Sequence, residues 1–190
     1  MPKDASQAEP SLPEKIIALD QSLRRAKLPH AFGGELAFAY YAEPNLTIHI
    51  DLHVFVYVER WDEVVDALTP LDIETEGIDS SALERDRQYR LNWGNGTVNL
   101  FFAYDEIHDE MRKQARRVPF ADTTLPILAP EHLAVCKAMF DRPRDWLDIE
   151  QMLVATDDLD VPEIEGWLAR MVDESDPRVQ RFAELKEKVL

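Results

Sequence analysis

The chain has 190 residues, is 45% hydrophobic and 31% charged, and carries a net charge of −16 with one cysteine, Cys136. That composition can bury a core, which excludes a wholly disordered chain. The charge excludes bulk binding of DNA, which needs a basic face, and a lone cysteine excludes an internal disulfide framework. The start has no signal-peptide pattern, and no run approaches the ~20 apolar residues of a membrane span. The expectation is a reducing, cytoplasmic location with no membrane contact. In chain order, residues 1–10 read as a flexible leader. A helix starts at Ser11 as cap, with Pro13 in its first turn, and runs to Lys27; Ile16, Ile17, Leu19, Leu23 and Leu28 supply its buried side. His30 to Phe32 is a short strand running into Gly33-Gly34, and the stretch ELAFAYYA after it reads as a helix. Asn45 to Val58 holds a strand with near-perfect alternation. Ile48, Ile50, Leu52, Val54 and Val56 share one parity; Thr47, His49, Asp51 and His53 share the other, so two imidazoles, a carboxylate and a hydroxyl fall on one face.

Trp61 to Leu68 reads as a short amphipathic helix, Ile73 to Glu76 as a strand, and the acidic stretch to Asp86 as loop or short helix. Tyr89–Trp93 and Thr97–Phe102 flank Gly94-Asn95-Gly96, a hairpin signal. Ile107 to Ala115 is helical, and Arg116–Phe120 and Leu125–Leu128 are short strands around a turn at Ala121-Asp122. From Pro130 onward the pattern is helical: one helix opens there, Arg142–Val154 forms another, and Val161–Val172 and Pro177–Leu190 follow, with Asp160 and Asp176 as caps. The organisation is therefore α/β first and all-helical last: a leader at 1–10, an α/β core at 11–128 and a helical region at 129–190 packed on it.

The His49-x-Asp51-x-His53 face admits three readings. It is an ordinary solvated strand face, a transition-metal site built from His49, Asp51 and His53, or part of a phosphate site. For the last, Gly33-Gly34 is a turn whose N–H groups can meet an anion, and an acidic strand beside it suits metal-assisted phosphoryl or nucleotidyl transfer, with Mg²⁺ on the carboxylates. His30, His108 and His132 are isolated. Cys136 lies among apolar helix positions and reads as core, since a reactive thiol needs an electropositive, open setting. The basic run from Arg112 to Arg117 reads as a solvated helix face or as a contact for an RNA or acidic partner.

Two blocks carry a family resemblance. His30-Ala-Phe-Gly-Gly-Glu-Leu-Ala-Phe-Ala-Tyr-Tyr followed by Pro44-Asn-Leu-Thr-Ile-His-Ile-Asp-Leu-His-Val resembles the opening of minimal bacterial nucleotidyltransferase-fold proteins related to the abortive-infection nucleotidyltransferase toxins. The run from Leu125 to Glu150, with Lys137, Arg142, Asp145 and Asp148, resembles the downstream segment of the same group. The resemblance spans about residues 28 to 153 and implies a polymerase-beta-like mixed sheet flanked by helices, with a helical C-terminal region. Carried over, it assigns Gly33, Gly34 and Glu35 to nucleotide binding, Asp51, His49 and Lys137 to catalysis, Asp51, His49, Asn99 and His53 to a metal, and Arg142, Asp145 and Asp148 to a structural motif. Its cofactor is Mg²⁺ or Mn²⁺, with Zn²⁺ as an alternative. Its partners are a nucleoside triphosphate and an RNA or protein acceptor, and the presence of an antitoxin partner stays open.

The chain departs from that pattern where the chemistry is concentrated. His49 stands at the first metal carboxylate, Asn99 at the third, Asn45 at a common Arg, and Glu35 where Ser or Thr is frequent. Mg²⁺ prefers oxygen ligands, imidazole suits Mn²⁺, Zn²⁺ or Fe²⁺ better, and a carboxylate beside the phosphate turn repels a triphosphate. Three functions stay open: a nucleotidyltransferase-like enzyme, an inactive binding or regulatory module of the same fold, and a metal-dependent hydrolase on His49, Asp51 and His53. Lys137 serves either the phosphates or an ion pair with Asp145 or Asp148. Tyr40-Tyr41 and Phe101-Phe102 read as core, and the oligomeric state stays open.

Overall fold

A computed structural model describes residues 9–43, 47 and 49–190. Most of the expected leader, and the position of Asn45, lie outside the described residues. Helix α1 (Leu12–Arg25) is opened by Ser11, whose side chain and backbone are bonded by Glu14 in a reciprocal capping box. Strand β1 (His30–Phe32) leads through Gly33 into α2 (Gly34–Phe38), and β2 (His49–Tyr57) follows. Next come α3 (Trp61–Leu68), α4 (Ser80–Asp86), the hairpin β3 (Gln88–Trp93) and β4 (Gly96–Ala103), α5 (Glu106–Gln114), and the hairpin β5 (Arg116–Phe120) and β6 (Thr123–Ile127). Four helices close the chain: α6 (Pro130–Phe140), α7 (Pro143–Ala155), α8 (Val161–Met171) and α9 (Pro177–Val189). Asp160 and Asp176 cap the last two, accepting from the backbone N–H of Glu163 and Arg178.

The six strands form one mixed sheet in the order β3-β4-β2-β1-β6-β5. β2 pairs parallel with β4 and antiparallel with β1; β1 pairs parallel with β6. β2 is thus central, and from Leu52 to Val56 both of its faces are covered. The strand is open at its ends: His49 and Tyr57 are exposed and Asp51 half-buried, whereas His53 is buried. Alternation of side chains is a local property; the cover over a strand is set by tertiary packing.

Two expectations are corrected. Ile73–Glu76 is not a strand. Asp72 and Gly77, with φ of 56° and 72°, turn the chain on either side of it, and the Glu74 N–H reaches the Asn92 carbonyl without a ladder developing. The stretch ELAFAYYA is helical only to Phe38 and then closes in turns. Charge is also buried where amphipathic reasoning expects apolar groups. Lys15, 3% exposed, donates to the Trp93 carbonyl and to Glu9, and Asp20, 1% exposed, meets His30 and Arg24. Among the described residues no helix is long and apolar enough to cross a membrane.

Candidate functional site: a two-walled cleft

The site begins where β1 runs out. The Gly33 N–H donates to the Asp51 carbonyl at 2.9 Å, so the turn lies flat against β2. A Cβ at Gly33 would stand 2.8 Å from His53 Nε2. Gly34 has φ +52°, and a Cβ there would stand 2.0 Å from Asp51 Oδ2. Both glycines are therefore required by close approach, and Gly34 also by its left-handed backbone. This contact sets the Asp51 carboxylate beside the first residues of α2.

Across the sheet, Asp51, Asn99 and Arg90 share one rung: Asp51 is opposite Asn99 in the β2–β4 pair, and Arg90 is opposite Asn99 in the β3–β4 pair. Asn99 Nδ2 donates to Asp51 Oδ1 at 2.6 Å, and Arg90 Nε donates to Asn99 Oδ1 at 2.8 Å. On the next rung His49 Nδ1 is hydrogen-bonded to Thr97 Oγ1 at 2.7 Å. This is the strand wall of the cleft.

The helical wall is built differently. Lys137 on α6 is 5% exposed; its Nζ donates to Asp148 Oδ2 on α7 at 2.6 Å, lies 3.9 Å from Glu35 Oε1, and sits over the Phe38 ring. Arg144 approaches the same Glu35 oxygen at 3.4 Å. Arg142, at the entry to α7, grips Asp145 through Nε and Nη2 at 2.7 and 2.9 Å, and its backbone N–H reaches the same carboxylate. Between the walls lies an open cleft of about 1050 Å³, lined among others by Glu35, His49, Asp51, Arg90, Asn99 and Lys137.

The sequence-expected residues thus divide. Gly34, Glu35, His49, Asp51, Asn99, Lys137, Arg142, Asp145 and Asp148 line the cleft. His53 is elsewhere: it lies under the Gly33 turn, 5% exposed, with its ring stacked on Phe101 at 4.7 Å. Burial, reinforced by neighbouring His108, holds its pKa at about 3, so the imidazole is neutral. The three-residue face His49–Asp51–His53 is therefore split between cleft and interior, which removes the geometry that a hydrolase centred on it requires. Cys136 is half-buried, and burial with the nearby Asp51 charge pushes its thiol up to about 12, the setting of an inert cysteine. The basic run also divides: Arg112 and Lys113 pair with Asp109 and Glu110 on α5, while Arg117 bonds Thr124 within the hairpin.

The donor set does not fit a resident Mg²⁺ or Mn²⁺. Among the described residues no group of three or more His, Cys, Asp or Glu side chains is placed to hold a metal ion. On the strand wall one carboxylate stands alone, and the amide oxygen of Asn99 is taken by Arg90. A hard cation in that place would need oxygen ligands that this rung has already committed. Two basic residues of the cleft, Arg90 and Arg144, were not singled out from sequence. Arg90 was accessible in principle: a two-residue turn at Gly94-Asn95 pairs Trp93 with Gly96 and so sets Arg90 opposite Asn99.

No protein-family model matches the chain, and no curated protein matches its sequence. Solved structures do resemble it. The solution structure of the antibiotic-resistance factor ANT(2'')-Ia superposes with a TM-score of 0.55 at 16% identity, covering 91% of this chain and 94% of that one. The crystal structure of ANT(2'')-Ia in complex with adenylyl-2''-tobramycin gives 0.52 at 14% identity, covering 94% and 98%. An antigenic nucleotidyltransferase-like protein from Paracoccidioides brasiliensis gives 0.50 at 20% identity, covering 94% and 96%. At these identities the likeness defines the fold: a nucleotidyltransferase-like mixed sheet flanked by helices.

Proposed function

We propose that the cleft binds a nucleoside phosphate and that the protein is a nucleotidyltransferase-like nucleotide-binding module. The observation that carries the reading is the Gly33-Gly34 turn pressed onto Asp51 at the wall of a cleft that also holds Lys137. The solitary carboxylate of the strand wall favours binding over metal-dependent transfer, because that chemistry draws on several oxygen ligands to hold the ion. In this reading Lys137 comes from the helical region at 129–190 and Asp51 from the core at 11–128, so neither region binds alone.

A second reading is transfer of a nucleotide or phosphate to an RNA or protein acceptor, toxin-like in its effect. The cleft volume of about 1050 Å³ favours it, since ligand pockets span roughly 300–1,000 Å³ and a donor with part of an acceptor needs the upper end. The neighbour solved with adenylyl-2''-tobramycin makes ATP the first probe.

Thermal melting of the purified protein with each of the four nucleoside triphosphates tests both readings. A ligand that binds the native state raises the melting temperature by mass action. A shift for at least one triphosphate, lost in Gly34→Ala, is the expected result. No shift with any of them, with or without divalent ions, would remove the nucleotide reading. Radiolabel from the α- or γ-phosphate appearing on RNA or protein would move the assignment from module to enzyme.

A further inference from the structure

The lysines and arginines lining the cleft are not equally available. Among the described residues there are four: Arg90, Lys137, Arg142 and Arg144. Lys137 is bonded to Asp148, Arg142 to Asp145, and Arg144 is paired with Glu35. Arg90 is the exception. Its hydrogen bond runs from Nε to the neutral amide of Asn99, its side chain is exposed, and among the described residues no carboxylate is in direct contact to offset its charge. Asn99 in turn is oriented by Asp51, so the guanidinium is set by a two-bond chain that starts at the cleft carboxylate.

The Gly33-Gly34 turn is already furnished with an anion of its own. Glu35 lies in the first turn of α2, drawn toward Arg144 and Lys137. A phosphate placed there would face a carboxylate, and like charges at such range repel. The strand wall offers the opposite: a planar fork of donors, which matches two phosphate oxygens at once.

We infer that this cleft holds the phosphate of its ligand on Arg90, a guanidinium set through Asn99 in the place of a divalent cation, and that binding needs no metal ion. The inference rests on the nucleotide reading above and deepens it. Asp51 acts here as a positioning residue: its carboxylate fixes which face of the Asn99 amide meets Arg90.

Isothermal titration separates the two claims. The probes are ATP, the other three nucleoside triphosphates and inorganic tripolyphosphate, each in excess chelator and in excess Mg²⁺. Wild-type protein is expected to bind at least one probe equally well in both. Arg90→Gln is expected to weaken that binding by roughly 10- to 100-fold, the factor a charge-assisted pair supplies, and Arg90→Lys to restore only part of it. Because Arg90 is exposed, both variants should melt like wild type without ligand. Asn99→Asp, which puts a second carboxylate beside Asp51, is expected to lose metal-free binding and to gain a Mg²⁺-dependent melting shift. Wild-type binding seen only with Mg²⁺, or binding in chelator that Arg90→Gln leaves unchanged, overturns the inference while the nucleotide reading stands. Absence of binding to every probe in both buffers overturns the nucleotide reading itself.

Discussion

Lys137 and Arg90 line the same cleft and are held in opposite ways. The lysine is 5% exposed and pairs with an aspartate that is 2% exposed; the arginine is exposed and leans on an uncharged amide. A buried pair forfeits hydration on both partners, so its net contribution is small, yet removing one partner strands the other in a poor solvent. An exposed guanidinium forfeits little and stays ready for an anion. The helical wall is thus tied into the stability of the molecule, and the strand wall keeps its charge for a visitor.

The largest expected effect tests the helical wall. Lys137→Met leaves Asp148 buried and uncompensated and should cost about 3–5 kcal/mol in urea denaturation. Adding Asp148→Leu should recover most of that loss. A single variant as mild as a surface substitution would erase the contrast between the walls.

Acid tests the interior beneath the strand wall. His53 has a folded pKa of about 3, lowered by burial, against roughly 6.5 unfolded. A base whose folded pKa is depressed favours folding above the unfolded value, and the advantage is lost as pH falls from there toward 3. The unfolded chain takes up the proton first, at a cost of about 1.4 kcal/mol per pH unit. By pH 5 His53 alone should remove about 2 kcal/mol. Burial shifts His108 and His132 the same way, so they add to the slope. Melting curves of His53→Gln between pH 7 and 5 should be visibly flatter than wild type; equal slopes would show that the buried imidazole takes up its proton without penalty.

A smaller effect is expected at the junction of turn and strand. Gly34→Ala forces a side chain into a backbone of φ +52° and against Asp51, which should cost about 1–2 kcal/mol. Its effect on ligand-induced stabilisation should exceed its effect on the bare protein, because the displaced group is the cleft carboxylate. The smallest stability change is expected for Asp51→Asn, below about 1 kcal/mol, since an amide oxygen can still accept from Asn99. A large loss there would mean that the strand wall is as structural as the helical one.

Much of the architecture was legible because its signals are local. The caps at Ser11, Asp160 and Asp176, the two hairpins, and the proline-opened helices all rest on residues within a few positions of one another. The site was legible only in part. Glycine next to glycine read as a turn able to meet an anion, and the structure gives the pair a further reason: the side chains of His53 and Asp51 fill the space a Cβ would need. His53 misled because parity along a strand does not report what packs over it. Arg90 escaped because the turn was read as Gly94-Asn95-Gly96. Reading three turn residues instead of two slips the hairpin by one position and sets Asn99 opposite Leu91, on the other face. Lys137–Asp148 was one of two pairings the sequence allowed, and only the packing of α6 on α7 chooses between them.

Two pairings flanking the centre of the sheet, β2 with β4 and β1 with β6, are parallel, and this has a consequence for how the molecule comes into being. Asp51 meets Asn99 across 48 positions of chain, and Phe32 meets Ile127 across a still longer span. Closing such loops precedes any reward from the contacts they enable, so non-local parallel pairing is slow to form. On the ribosome, Asp51 would emerge well before its rung partners, and the helical wall only after α6 and α7 have been synthesised. The cleft therefore belongs to the last stage of assembly. A chain interrupted between β6 and α7 would have all of its sheet residues and lack the part of the cleft wall that α7 supplies.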